Sequence, residues 1–211
     1  MKIEQDLKLD FSDVLIRPKR STLESRNDVD LLREFKFPHS NQVWKGIPII
    51  ASNMDTVGTV EMYHSLRKYN MLTCFHKFLD IDDYPNNEDN NYILSIGIRD
   101  EDFTKLSNLY NKSPSSCKII CVDIANGYIK KLVEFCQRIR KLIPDCILIA
   151  GNVVSREMVE ELILNGKVDI VKVGIGSGSV CTTRIQTGVG MPQLSAIIEC
   201  SDAAHGCNGH I

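Results

Sequence analysis

Short apolar runs alternate with amphipathic segments along almost the whole chain. Six runs read as strands: residues 47–51 (IPIIA), 71–75 (MLTCF), 92–96 (YILSI), 118–123 (KIICVD), 146–151 (CILIAG) and 169–174 (DIVKVG). Each is rich in Ile, Val or Leu and apolar at successive positions, as strands covered on both faces are. Between them lie helix-like stretches at 57–69, 101–110, 129–142, 155–165 and 192–205. The fourth has Ser155 as N-cap and an acidic first turn, and stops before Gly166; the fifth opens on Pro192 and runs to Gly206. Regular strand–helix alternation predicts a parallel α/β sheet, either doubly wound or closed into a barrel. The segment before Ile47 has no clear period and reads as an extended, charged N-terminal arm or lid. An acidic, Asn-rich loop from Asp80 to Asn91 stands where a crossover helix would be expected. No linker divides the chain, so the expected organisation is an arm (1–46) and an α/β body (47–211).

Composition narrows the function classes. The 211 residues are 43% hydrophobic and 25% charged, with a formal net charge of −2, the profile of a soluble globular protein. Without a basic stripe, neither nucleic acid nor an anionic membrane is the expected partner. The N-terminus has no apolar core of a signal peptide, and no apolar run approaches the ~18 residues of a membrane span. The expected location is the cytoplasm.

Eight cysteines (74, 117, 121, 136, 146, 181, 200 and 207) include no C-x-x-C pair. Cys117 and Cys121 have loosely zinc-like spacing, but they flank one strand and no His pair accompanies them. Seven are expected to be small buried hydrophobes. Cys181 differs, because its neighbours in GIGSGSVCTTR are glycines and hydroxyls. This stretch follows a strand directly, where α/β enzymes place their chemistry. Glycines let the backbone approach a ligand; the amides and hydroxyls of Ser177, Ser179, Thr182 and Thr183 suit a phosphate or a polar base, and its carbonyls suit a bare cation. Amides and Arg184 nearby would favour a thiolate at Cys181, the candidate covalent nucleophile. As a dinucleotide fingerprint the stretch is poor, since Ser179 takes the third glycine position and the strand lies late in the chain.

Five stretches, 6–26, 46–59, 121–128, 150–164 and 171–206, resemble the IMP dehydrogenase/GMP reductase superfamily, and its GMP reductase branch in particular. The resemblance implies a (β/α)8 TIM-type barrel that converts GMP to IMP and ammonia with NADPH, through a covalent cysteine thioimidate, in purine nucleotide salvage. On matching positions it implies Cys181 as nucleophile, Thr183 as the hydroxyl relaying a proton to the departing ammonia, and Ser179 as a substrate-phosphate contact. It implies cofactor contacts at Lys77, Asp123, Ile124, Ala125, Ile175 and Gly176. Ser25 and Arg26 are implied to reach the cofactor of an adjacent subunit in a homotetramer. Gly176, Gly178, Cys181 and Arg184 are implied to surround a potassium ion. Asn152 is a polar group expected to face the ring system, whereas His76 and His205 are expected to be structural.

The sequence also departs from the family pattern. Ser177 replaces the proline usual between the two cation-site glycines. Six strands are visible and the final Gly209–His210–Ile211 begins a seventh, whereas a closed barrel takes about 250 residues. The Asp-Gly-Gly strand and the flap bearing the Glu partner of Thr183 are not in this sequence, so the chain alone is expected to have little or no reductase activity. Two rival readings fit the same residues: an IMP dehydrogenase, and a non-catalytic truncated paralogue acting as subunit partner or nucleotide binder.

Overall fold

The computed structural model describes residues 3, 5–80, 83–85 and 91–211. Two antiparallel strands come first, β1 (Arg33–Phe37) and β2 (Gln42–Gly46). Six parallel strands follow: β3 (Ile50–Ala51), β4 (Leu72–Cys74), β5 (Tyr92–Ile96), β6 (Ile119–Asp123), β7 (Ile147–Val153) and β8 (Ile170–Val173). They lie side by side in chain order, as in an open half of a TIM-type barrel. His210 bridges Ile170 in parallel on the outer side of β8, which is where a seventh strand was expected to begin.

The helices are α1 (Val60–Leu66), α2 (Asp100–Lys112), α3 (Lys130–Leu142), α4 (Arg156–Leu164), α5 (Thr183–Thr187) and α6 (Gln193–Gly206). Thr59 caps α1 by accepting the Met62 amide at 3.3 Å, which starts this helix three residues later than its apolar pattern suggests. The five-residue α5 has no counterpart in the sequence reading, being too short to show a period. Of the acidic stretch 80–91, residues 81, 82 and 86–90 lie outside the described residues. Tyr84 within it is buried against Phe75 and Tyr92, at ring separations of 5.4 and 5.9 Å.

Strands apolar at every position serve two cores. On one face Leu94, Ile96, Ile120, Val122, Leu148 and Ala150 pack with buried residues of the helices, among them Leu132, Phe135, Leu162 and Cys200. Intervening residues Ile93, Ile119, Cys121, Ile147 and Ile149 turn inward to a second cluster, as the two-residue period of a strand requires. Phe37 joins that inner cluster, with Phe35 and Trp44 packed against it. The supposedly irregular arm thus contains a hairpin that covers the floor of the half-barrel. Its signal, apolar residues at 35 and 37 facing 44, is confined to five-residue strands among charges.

Asp169, immediately before β8, ties this floor together. It is fully buried, bonded to Arg140 (2.7 Å) and to the amides of Leu148 (3.0 Å) and Ser40 (3.3 Å). Helix α3, strand β7 and the hairpin are thereby fixed to one carboxylate.

Candidate active site

At the opposite, C-terminal end of the strands, β8 runs into the glycine-rich stretch. The Gly174 amide donates to Val153 O (2.9 Å), and its carbonyl accepts Asn152 Nδ2 (2.8 Å). The Asn152 side-chain amide thereby holds the loop's first residue. Gly174 and Gly176 have φ of 128° and 71°, values that admit glycine readily and strain other residues.

Cys181 and Thr183 meet at the far side of the loop, with Sγ 3.2 Å from Oγ1. A thiol there donates to the hydroxyl; a thiolate accepts from it. Thr183, through hydroxyl and backbone amide, holds the Cys181 pKa below the ordinary thiol value, and the positive charge of Arg184 adds a smaller pull. Burial does the reverse elsewhere, pushing Cys117, Cys136 and Cys146 up to about 12. Six cysteines are buried, whereas Cys181 and also Cys207 are only partly so. Cys207 thus departs from the expectation of full burial, because it lies just beyond the end of α6.

Arg184 leaves the cysteine behind. Its guanidinium pairs with Asp10 (3.2 Å) and donates to the Met191 carbonyl. The side chain of Arg184 is thus committed, and only its carbonyl, which accepts the Gly188 amide at 3.0 Å, could face a cation. The Gly178 carbonyl accepts the Cys181 amide at 2.9 Å, while those of Gly176 and Cys181 accept no hydrogen bond among the described residues. Carbonyl oxygens left in this way have the right chemistry for a large, hard cation. Ser179 is exposed on the same loop.

Asp123 ends β6 inside the mouth, in a ring of polar groups. Its Oδ1 accepts Lys172 Nζ (2.6 Å) and its Oδ2 accepts Asn53 Nδ2 (2.8 Å), while Lys172 also donates to Asn53 Oδ1 (2.8 Å). Asn53 reaches Ser95 Oγ as well, at 3.1 Å. Burial acts to depress the pKa of Lys172, but Cys121 and Asp123 outweigh it and raise the value above that of a free lysine. The sequence reading missed Asn53, Ser95 and Lys172. Lys172 had a legible signal, a cation within the apolar run DIVKVG.

The remaining candidates are more scattered. Ile124 pairs in both directions with the end of β7: its amide donates to Gly151 O and its carbonyl accepts the Asn152 amide, each at 3.0 Å. Ala125 beside it is exposed and Ile175 half-buried. Lys77 is exposed over the Phe78 ring, 5.4 Å from its centroid, and lines a small cavity with Ser95 and Asp102. Ser25 accepts the Asn27 amide (3.2 Å) as cap of the turn Arg26–Asp28; among the described residues no hydrogen bond joins Ser25 or Arg26 to the mouth. His76 packs on Phe78, and His205 is exposed on α6.

Comparison with known proteins bears on the family and the fold. The family model described as the IMP dehydrogenase / GMP reductase domain matches residues 8–211. GMP reductases of Buchnera aphidicola (subsp. Acyrthosiphon pisum, strain Tuc7) and Photobacterium profundum are each 56% identical over 218 aligned residues, and that of Citrobacter koseri is 54% identical. Each alignment covers all of this chain and 62% of the relative, so the chain spans under two-thirds of their length. A solved structure of inosine 5′-monophosphate dehydrogenase from Legionella pneumophila superposes with a TM-score of 0.78 at 26% identity, over 93% of this chain and 59% of that one. Half-barrel, glycine loop and comparisons lead to one assignment: the chain belongs to the IMP dehydrogenase / GMP reductase family.

Proposed function

We propose that this chain carries the nucleophile of a cytoplasmic GMP reductase, an NADPH-dependent oxidoreductase converting GMP to IMP and ammonia in purine salvage. The observation that carries the reading is the Cys181–Thr183 contact of 3.2 Å on the loop after β8. The 54–56% identity to proteins named GMP reductase favours the reductase over the dehydrogenase, whose structure matches at 26%.

In the proposed reaction the Cys181 thiolate adds to C2 of the purine, forming a C2–S bond. A soft thiolate suits an electron-poor ring carbon and divides one hard step into two. Thr183 passes a proton to the amino group, which departs as ammonia and leaves a thioimidate. NADPH, when bound, would supply the hydride for C2; Cys181 would recover its electron pair on breaking of the C2–S bond, with IMP leaving. Ser179 holds the substrate phosphate through its hydroxyl and amide. Asp123, Ile124 and Ala125, with Ile175, Gly176 and Lys77, would hold the cofactor; the Asp123 carboxylate, 31% exposed, still presents an edge to the mouth. Ser25 and Arg26 would serve an adjacent subunit of a homotetramer. A potassium ion would be held by the carbonyls of Gly176, Gly178, Cys181 and Arg184. The arm (1–46) and the barrel body (47–211) act as one unit, a reading supported by the packing of Phe37 in the inner core.

A hydroxyl alone is a weak acid or base, and among the described residues no carboxylate bonds to Thr183. The 211-residue chain by itself is therefore expected to add GMP to Cys181 once but to turn over slowly. Mass spectrometry after incubation with GMP should find the adduct on the peptide containing Cys181, and Cys181→Ala should abolish it. An adduct persisting in that variant, or none in the wild type, would reject the nucleophile assignment. NADPH consumption at rates typical of an efficient enzyme would reject the slow-turnover reading. Reduction of NAD⁺ with IMP would make the protein a dehydrogenase.

A further inference from the structure

The loop that bears Cys181 is poorly held by burial. Val180 and Ile185 on either side of the cysteine are 86% and 84% exposed, so little hydrophobic stabilisation fixes its tip. What holds the loop comes from far away in sequence. Residues 8–10 lie along the first turns of α6: Leu9 N donates to Ser195 Oγ (2.7 Å), Ser195 N donates to Leu9 O (3.1 Å), and Lys8 pairs with Glu199 (3.7 Å). Asp10, next in line, divides its carboxylate between two partners. Oδ1 accepts the Gln193 amide at 2.5 Å, and Oδ2 accepts Arg184 Nη1 at 3.2 Å.

Both partners reach back into the loop. The Gln193 side chain donates to Val173 O (3.2 Å) and stands against Gly174, where an added Cβ would lie 2.6 Å from Oε1. The Arg184 stem fills the space between Gly176 and Gly190, where a Cβ on either glycine would lie 2.7 Å from its Cγ. Its guanidinium also grips the Met191 carbonyl. One carboxylate thus ties together the loop's entry, its exit and the start of α6. Arg184 follows Thr183 directly, so holding it fixes the residue that contacts the cysteine.

We propose that Asp10 is a positioning residue for Cys181, acting through Arg184 and Gln193 to keep the nucleophile loop in one shape. The consequence for reactivity rests on Cys181 being the nucleophile, whereas the ordering of the loop does not. Two measurements on the full chain therefore separate the two. In hydrogen exchange, Asp10→Ala should speed exchange of the amides between residues 174 and 191 by about tenfold, with β6 and β7 unchanged, because local opening loses its polar tie. Arg184→Ala should do the same, and the double variant should add little, since both remove one device. Asp10→Glu should restore much of the protection. At one fixed pH, alkylation of Cys181 by iodoacetamide should slow several-fold in Asp10→Ala and recover in Asp10→Glu.

Unchanged loop exchange in Asp10→Ala would overturn the proposal. So would faster exchange spread equally over β6 and β7, which would make Asp10 a general stabiliser. Alkylation as fast in Asp10→Ala as in the wild type would overturn its link to the thiol. A wild-type Cys181 no more reactive than a free cysteine would instead reject the nucleophile reading and leave the exchange result to decide the role of Asp10.

Discussion

At the scale of the residue, Cys181 is set apart by what surrounds it. Burial raises the pKa of Cys117, Cys136, Cys146 and Cys200, while Thr183 lowers that of Cys181. Thr183→Val should therefore slow thiol alkylation at neutral pH while leaving the thermal midpoint nearly unchanged, a pair of readings taken by mass spectrometry and calorimetry. The ring of Asn53, Asp123 and Lys172 predicts a pH effect of its own. Because the folded pKa of Lys172 is raised above 10.5, its stabilising contribution is complete below that pH and is lost as pH rises through the folded value. Lys172→Met should cost about 1 kcal/mol near neutrality, allowing for solvent screening of a partly exposed pair. Urea midpoints against pH should then converge on the wild type in strong alkali. Lys172 was readable as an oddity in its strand; its partners were not, because Asn53 lies 119 residues away and Asp123 lies 49.

At the scale of the element, the parallel strands and the larger helices follow from local pattern. Strands β5, β6 and β7 are buried at nearly every position, and their continuous apolar runs announce this. Helix α3 buries Leu132, Val133, Phe135, Cys136 and Ile139, the spacing of one helical face. The hairpin was harder to see. Only Phe35, Phe37 and Trp44 turn toward the core, and charged neighbours mask so short an alternation. Its packing nevertheless gives a clear expectation: Phe37, 3% exposed, closes the inner cluster, so Phe37→Ala should lower unfolding free energy by about 3 kcal/mol. Denaturation by urea measures this directly, and an unchanged midpoint would mean that the hairpin does not seal the floor. Helix α5 escaped notice for a related reason, since a single turn ended by Gly188 in the left-handed region (φ 69°) shows no repeat.

At the scale of the whole molecule, Asp169 holds together parts that the sequence lists far apart. Arg140 is 12% exposed and Asp169 wholly buried, so removing the carboxylate strands a charge and two amides away from water. Asp169→Ala should destabilise the chain by about 3 kcal/mol or more, seen as a large drop in melting temperature; Asp169→Asn, which keeps an acceptor, should lose less. A small effect in both would show that water reaches Arg140 freely.

The amino-acid sequence carried the order of the six parallel strands and the longer helices, the two-faced burial of the sheet and the placing of Cys181 after a strand, because these depend on residues within a turn or two of one another. Tertiary structure alone decided which groups meet: Asp10 with Arg184 across 174 positions, Lys172 with Asp123, and the hairpin with the barrel floor. Such pairings depend on how whole elements stack, and a local period of 2 or 3.6 records the face that a side chain occupies but not the partner waiting opposite.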